Sequence, residues 1–139
     1  MSDKHYLHAK FVSLFGSLWD FIAAGSIDGW WFWDLNSPDN EYMDDRMWHV
    51  LGYDPDTKEH KVHEWQDLID PADLQVALRN FWMHRDDPSH PYDQIVRYRR
   101  GSLRTDVEGD WIHVRWLGVS VMEGFEPRGM LGMDKDVTC

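Results

Sequence analysis

The chain has 139 residues, of which 42% are apolar and 14% aromatic, so it can bury a single hydrophobic core. Its 25 acidic and 14 basic side chains give a formal net charge of −11 at pH 7. This charge repels phosphate backbones and anionic lipid surfaces, and no cluster of lysine and arginine offers a local exception. The composition therefore excludes disorder, and it argues against binding to nucleic acid or to a membrane surface.

Cysteine occurs once, as the last residue, Cys139. A disulfide framework and a zinc–cysteine cluster are thereby excluded. No apolar run approaches the roughly 20 residues that cross a bilayer, and residues 1–10 lack the apolar segment of a secretory signal. We expect a soluble, cytoplasmic protein without direct membrane insertion.

Residues 3–24 are predicted to form one long amphipathic helix, and residues 1–25 are assigned to this N-terminal segment. Apolar side chains recur there at alternating spacings of four and three residues, which is typical of a helix that packs along another helix. One interpretation is a homodimer formed through this seam, and the other is an ordinary amphipathic helix packed on its own domain. The seam consists of Leu7, Phe11, Leu14, Leu18 and Phe21.

After Ser26 the apolar period changes to two, which favours strands. Trp30–Leu35 is the first predicted strand, and Glu41–Met43 is its short antiparallel partner across a turn. A short helix then begins at Asp44 or Asp45 and includes Leu51, and Gly52 stands where a helix C-terminal glycine belongs.

A helical turn at residues 64–69 precedes a longer helix. Asp70-Pro71-Ala72-Asp73 supplies a cap, a proline at the first helical position and an acid in the first turn, so the helix begins there and runs to about Arg85. Its predicted buried face consists of Leu74, Ala77, Leu78, Phe81 and Trp82.

The last third of the chain is predicted as three strands, Tyr92–Arg100, Trp111–Met122 and Arg128–Val137. In the first of them, alternation puts Tyr92, Gln94, Val96 and Tyr98 on one face. The order of elements indicates an α+β fold in which the helices are gathered between two halves of one antiparallel sheet.

Several short motifs in this order resemble the PAS sensory domain with a PAC-type C-terminal segment. The resemblance covers residues 26–138 and implies a five-stranded antiparallel sheet with helices packed on one face, plus the long N-terminal helix. The motifs are Gly29–Leu35, Leu51–Pro55, Glu64–Asp73, Pro91–Arg99, Met130–Gly132 and Asp136–Thr138. The sequence departs from the family in one place, because Arg100–Asp110 replaces the usual tight hairpin and leaves the register of the next strand open.

Such a sheet and its helices enclose a small interior that is either filled by side chains or occupied by a small ligand. With nine tryptophans in the chain, both outcomes are compatible with the composition. We predict an apolar wall from Trp33, Tyr98 and Trp116, and the candidate polar contacts are Gln94, His113 and Arg115.

The resemblance raises haem and flavin as cofactors. Haem is not expected, because the long helix offers only His84, at its end, as an axial ligand. A covalent flavin adduct is not expected either, because the chemistry of that class needs a core cysteine and Cys139 is terminal. Non-covalent flavin stays open, and the cofactor is otherwise unknown. His60 and His63 are read as residues of a solvated loop rather than as metal ligands.

The resemblance implies a non-catalytic sensory module of a bacterial signal-transduction protein. It would sense a small molecule or a redox cue and control a C-terminal effector, either a diguanylate cyclase (GGDEF) domain or a histidine kinase. The alternative is a protein–protein dimerisation scaffold with a filled core and no ligand. A ligand-converting enzyme is a third reading, but no catalytic motif supports it.

Asp136 and Thr138 match the signature that closes the last strand of the family. The resemblance implies that they pass the signal to the effector. An alternative from the residue types alone is that the two side chains only cap the strand end.

Overall fold

The computed structural model describes residues 9, 27–87, 89–123 and 126–138. The predicted N-terminal helix, with the seam formed by Leu7, Phe11, Leu14, Leu18 and Phe21, lies outside the described residues, as does Cys139. Dimerisation through that seam therefore stays a prediction.

Five antiparallel strands form one sheet in the order β2-β1-β5-β4-β3. The sequence-predicted strands are confirmed, with ends shifted by one or two residues. The strands are β1 Gly29–Asp34, β2 Glu41–Met43, β3 Tyr92–Arg99, β4 Trp111–Glu123 and β5 Glu126–Asp136.

The helices lie between β2 and β3 in the chain. They are α1 Asp45–Leu51, α2 Val62–Gln66 and α3 Pro71–Asp86, with a 3₁₀ turn at Pro55–Thr57. The Asp70 carboxylate accepts the N–H groups of Ala72 and Asp73 at the start of α3, as its sequence predicts. None of the described helices is long and apolar enough to span a bilayer.

Glycine ends α1, because the chain must turn there with a positive φ. Gly52 has φ 94° and donates its N–H to the carbonyls of Trp48 and His49. A side chain at this position would also collide with Gly101 and Arg104, which pack directly against it.

The buried face of α3 differs from its prediction in two residues, because Trp82 is exposed and His84 is buried. Ala77, Phe81 and His84 are buried, whereas Trp82 is 48% exposed. Trp82 follows Phe81 by one position, so it is rotated about 100° around the helix axis and points away from the sheet. The Arg85 guanidinium lies over its ring, 5.0 Å from the centroid.

The long β3–β4 connection is packed against α1. The N–H of Gly101 donates to the carbonyl of Leu51, and that of Leu103 donates to the carbonyl of Gly52. The Arg104 guanidinium donates to the carbonyl of Val50, 2.7 Å away. These bonds fix the position of the loop. The strands on either side of it, β3 and β4, pair from Tyr92↔Gly118 to Arg99↔Trp111.

Candidate functional site

The interior between the sheet and the helices is an aromatic cluster centred on Trp116. Its ring centroid lies 5.1 Å from that of Trp65, 5.8 Å from Tyr98, 6.1 Å from Trp31 and 6.5 Å from Tyr92. These separations are within the range of favourable ring–ring contact. We call this region the aromatic interior.

Two paired glycines form the floor beneath Trp31. Gly118 of β4 and Gly132 of β5 are register partners in the central strands. A Cβ on Gly132 would overlap the Trp31 indole, and a Cβ on Gly118 would collide with Tyr92. The glycines therefore let the Trp31 indole lie directly on the backbone of the sheet.

Four of the six predicted pocket residues face this side of the sheet. Tyr98 and Trp116 are buried in the aromatic interior, and Gln94 is half-buried. The amide oxygen of Gln94 accepts from Asn80 at 3.3 Å, while its amide nitrogen has no partner. Trp33 is buried against Phe81, at a centroid distance of 4.5 Å, and its N–H donates to the carbonyl of Pro38.

The structure does not bring His113 and Arg115 to the interior. Both are exposed on the opposite face of β4, because side chains alternate along a strand and Val114 and Trp116 take the inner positions. The Arg115 guanidinium forms a two-pronged ion pair with Asp93 at 2.9 and 2.7 Å. The prediction that these residues contact an interior ligand is corrected by this register.

Two acidic side chains that the sequence analysis did not select lie on the inner face. Glu41 of β2 is 4% exposed and Asp134 of β5 is 1% exposed. Glu41 pairs with Trp33, and Asp134 pairs with Trp116 in one neighbouring strand and with Gly29 in the other. The alternation of Met130, Gly132 and Asp134 along β5 could have indicated that Asp134 is buried, since it places an acid on the same strand face as small and apolar residues.

Burial is the largest influence on both carboxyl groups. It raises the pKa of Glu41 well above its usual value, and the charge of Asp134 raises it further, while the nearby Trp65 N–H acts to lower it. Burial likewise raises the pKa of Asp134, with the Trp31 N–H opposing and the charges of Asp44 and Asp28 adding to the rise. The folded domain therefore keeps both carboxyl groups protonated to a higher pH than the unfolded chain does, and a nearby positive charge would favour their ionised forms.

Hydrogen bonding in the aromatic interior is incomplete. Among the described residues, no partner in hydrogen-bond geometry reaches one oxygen of Glu41, either oxygen of Asp134 or the hydroxyl of Tyr98. The indole N–H groups of Trp31, Trp65 and Trp116 also lack a partner in hydrogen-bond geometry, although those of Trp65 and Trp31 lie near Glu41 and Asp134. Buried polar groups are normally paired, so this concentration of unpaired ones makes the aromatic interior the candidate site.

His84 is committed to backbone contacts. Its Nδ1 contacts the carbonyl of His90, and its Nε2 accepts the N–H of Ser120 at 3.1 Å. Both ring nitrogens therefore serve to join the end of α3 to β4.

His60 and His63 diverge from each other. His60 accepts the N–H of Met43 at 3.3 Å and stacks on Tyr42, whereas His63 is exposed beside Glu64, 3.7 Å away. Within the described residues, no three metal-ligating side chains come together.

The exit from β5 is held by Asp136 and Thr138. The Asp136 carboxylate accepts the N–H of Thr138 at 2.9 Å and pairs with Arg104 at 3.0 Å. Thr138 Oγ1 in turn accepts the N–H of His113 at 2.9 Å. The Arg104 guanidinium also donates to the carbonyl of Val50, so it connects the β5 exit to α1.

The sheet order, the helices on one face and the β5 exit give the chain a recognisable architecture. A family model described as the PAS fold matches residues 40–133, more than half of the chain. The chain belongs to the PAS family. Comparison of this PAS domain with curated proteins finds no match.

Solved structures with the same fold come from signalling proteins. A sensory box histidine kinase/response regulator from Burkholderia thailandensis is 22% identical with a TM-score of 0.67, over 88% of this chain and 86% of that one. The N-terminal domain of a diguanylate cyclase with a PAS/PAC sensor from Marinobacter aquaeolei is 17% identical with a TM-score of 0.58, over 79% and 94%. At these identities the likeness shows the PAS fold, as the sequence motifs predict.

Proposed function

We propose that this PAS domain is a non-catalytic sensor that binds a small molecule in its aromatic interior and controls a C-terminal effector. The observation that carries the proposal is the set of unpaired polar groups around Glu41 and Asp134. Leaving a buried donor or acceptor unpaired costs about 1–3 kcal/mol. A ligand that pairs with these groups recovers that free energy, which is a physical reason for it to bind.

The same groups provide two states for the sensor. The unpaired atoms are closed to solvent, so a ligand must displace side chains in order to reach them. A ligand shifts an equilibrium only by the difference in its affinity for the two states. A ligand can reach the unpaired groups in a repacked interior but not in the closed one, so its affinity for the two states differs.

The β5 exit is the proposed route of output. Asp136 is bonded to Thr138 and, through Arg104, to α1. A movement of the helices that cover the interior therefore alters these bonds, which lie at the start of the segment that leads to an effector. The effector class is taken from the relatives, a histidine kinase in one and a diguanylate cyclase in another.

Native mass spectrometry of the protein purified from cells tests the sensor. The expected result is a retained small molecule that is lost on denaturation and is absent from the Trp116→Ala variant. Protein that carries no adduct, combined with no thermal shift in a metabolite panel, would contradict it. A cytoplasmic location belongs to the same proposal.

The second candidate is a protein–protein scaffold with a filled core. The packing of Trp31 against Gly118 and Gly132 favours the scaffold, because the indole already covers the inner face of the sheet there. On this reading Trp31→Ala only destabilises the fold by about 3–5 kcal/mol. On the sensor reading it also alters the binding of a small molecule.

Homodimerisation through the N-terminal seam is part of both candidates. Leu14→Glu together with Leu18→Glu is expected to give a folded monomer, because a charge in a desolvated seam is costly. Sedimentation of both proteins at high micromolar concentration checks this. A wild-type monomer would show that the seam belongs to the domain's own core.

A further inference from the structure

The chemistry of the aromatic interior restricts what can bind there. This inference deepens the proposed function and rests on it. Three carboxyl oxygens, from Glu41 and Asp134, lack a partner, and no described cation lies within ion-pair distance of either side chain. The indole N–H groups nearby supply partial positive charge but no full charge.

The rings around these acids also lack cations. Elsewhere in the domain, aromatic rings are covered by basic side chains of the chain itself. Lys58 lies 5.2 Å from the Trp48 centroid, and Arg99 lies 5.2 Å from that of Trp111. Among the described residues no lysine or arginine lies over Trp31, Trp65 or Trp116. These rings therefore have no cation–π partner within the described part of the chain, and a cation from outside would have to displace packed side chains to reach them.

The two features favour a cation over other ligand classes. An anion would offer Glu41 and Asp134 no counter-charge and would be repelled by either acid once it ionises. A neutral polar molecule would satisfy hydrogen bonds but would give neither carboxylate a counter-charge. A cation with N–H or methyl groups would pair with the carboxylates and lie against the rings.

We propose that the ligand of this PAS domain is a small organic ammonium ion, held by Glu41 and Asp134 and surrounded by Trp31, Trp65 and Trp116. The net charge of −11 assists the approach of such a cation from solution.

The test uses the chlorides of methylammonium, tetramethylammonium and putrescine as probes at constant ionic strength. Sodium chloride controls for salt, tert-butanol for a neutral body of similar size, and sodium acetate for an anion. At least one ammonium probe is expected to raise Tm and to bind in calorimetry, whereas the three controls do neither.

Amide variants locate the binding. Asp134→Asn and Glu41→Gln keep the side-chain shape and remove the charge, and each is expected to weaken the binding of the active probe at least tenfold. Asp93→Asn is the matched control, because Asp93 is an exposed acid paired with Arg115 on the other face. Its affinity for the probe should equal that of the wild type.

The outcomes separate this inference from the sensor proposal. Equal binding by the amide variants, an equal shift with tert-butanol, or no shift with any ammonium probe would overturn the cation assignment. A retained neutral or anionic molecule in native mass spectrometry would also overturn it, yet leave the small-molecule sensor standing. A retained amine that is lost in Asp134→Asn would support both.

Discussion

The acidic side chains of this PAS domain occupy two contrasting environments. Glu41 and Asp134, the inner acids, are buried without a cation, and burial raises their pKa values. Asp73, Asp93 and Asp136, the peripheral acids, each pair with an arginine. For Asp73 and Asp93 the hydrogen bond from the arginine is the main cause of a lowered pKa. The same chemical group therefore stabilises the periphery and destabilises the interior.

The largest expected effect comes from removing both inner charges. Glu41→Gln combined with Asp134→Asn is expected to raise the unfolding free energy of the ligand-free domain at pH 8 by more than about 1 kcal/mol, because each unit of raised pKa costs the folded acid about 1.4 kcal/mol and an amide does not titrate. Urea unfolding measures it. A loss of stability would show that the inner acids have partners in the folded protein.

The pH dependence of stability sharpens this prediction. With a raised pKa, each inner acid keeps its proton in the folded state after the unfolded chain has lost it, near pH 4. Stability should therefore fall as pH rises from about 4 through the folded pKa values. The double amide variant should show a flatter profile over that window.

Among the peripheral acids, Asp73 should matter most. Its carboxylate accepts the backbone N–H and the guanidinium of Arg97, at 2.9 Å each, and so joins α3 to β3. Asp73→Asn is expected to cost about 1.5–3 kcal/mol, the range for hydrogen bonds to charged groups. With its pKa lowered, the contribution is present above about pH 4 and is lost as pH falls through the folded value. Urea unfolding at pH 7 and pH 3 checks both points.

Asp136→Ala addresses the exit from β5. Burial acts to raise the pKa of Asp136, but Thr138 and Arg104 together lower it. Losing this local cap should cost about 0.5–2 kcal/mol in the isolated domain. An output role predicts instead a small change in stability and a clear change in the activity of an attached effector. A large loss of stability with unchanged regulation would decide for the cap, and Thr138→Ala should follow the same pattern.

The smallest expected effect belongs to Asp93. Its ion pair with Arg115 is exposed on the outer face of the sheet, and exposed pairs contribute about 0–1 kcal/mol. Asp93→Asn should therefore unfold within 1 kcal/mol of the wild type, roughly independent of pH above 5. A larger loss of unfolding free energy would show that the exposed pair of Asp93 contributes as much to stability as the bonds of Asp73 do.

Local sequence patterns predicted most of the fold. Alternation identified the strands, Asp70-Pro71 marked the start of α3, and Gly52 marked the end of α1. The prediction for Trp82 was wrong because the rotation of about 100° per helix residue carries it away from the buried face that its neighbour Phe81 occupies.

The candidate site depended on information that no single strand contains. The sequence by itself determined the inner set Gln94, Val96 and Tyr98, since strict alternation puts them on one face. Which face of β4 and β5 turns inward was decided by pairing across the sheet, and a register shift of one residue would exchange Trp116 for Arg115 and Asp134 for Lys135. Only the tertiary structure therefore placed His113 and Arg115 in solvent and enclosed Glu41 and Asp134 with the tryptophans, because strand pairing is a long-range contact that local pattern does not encode.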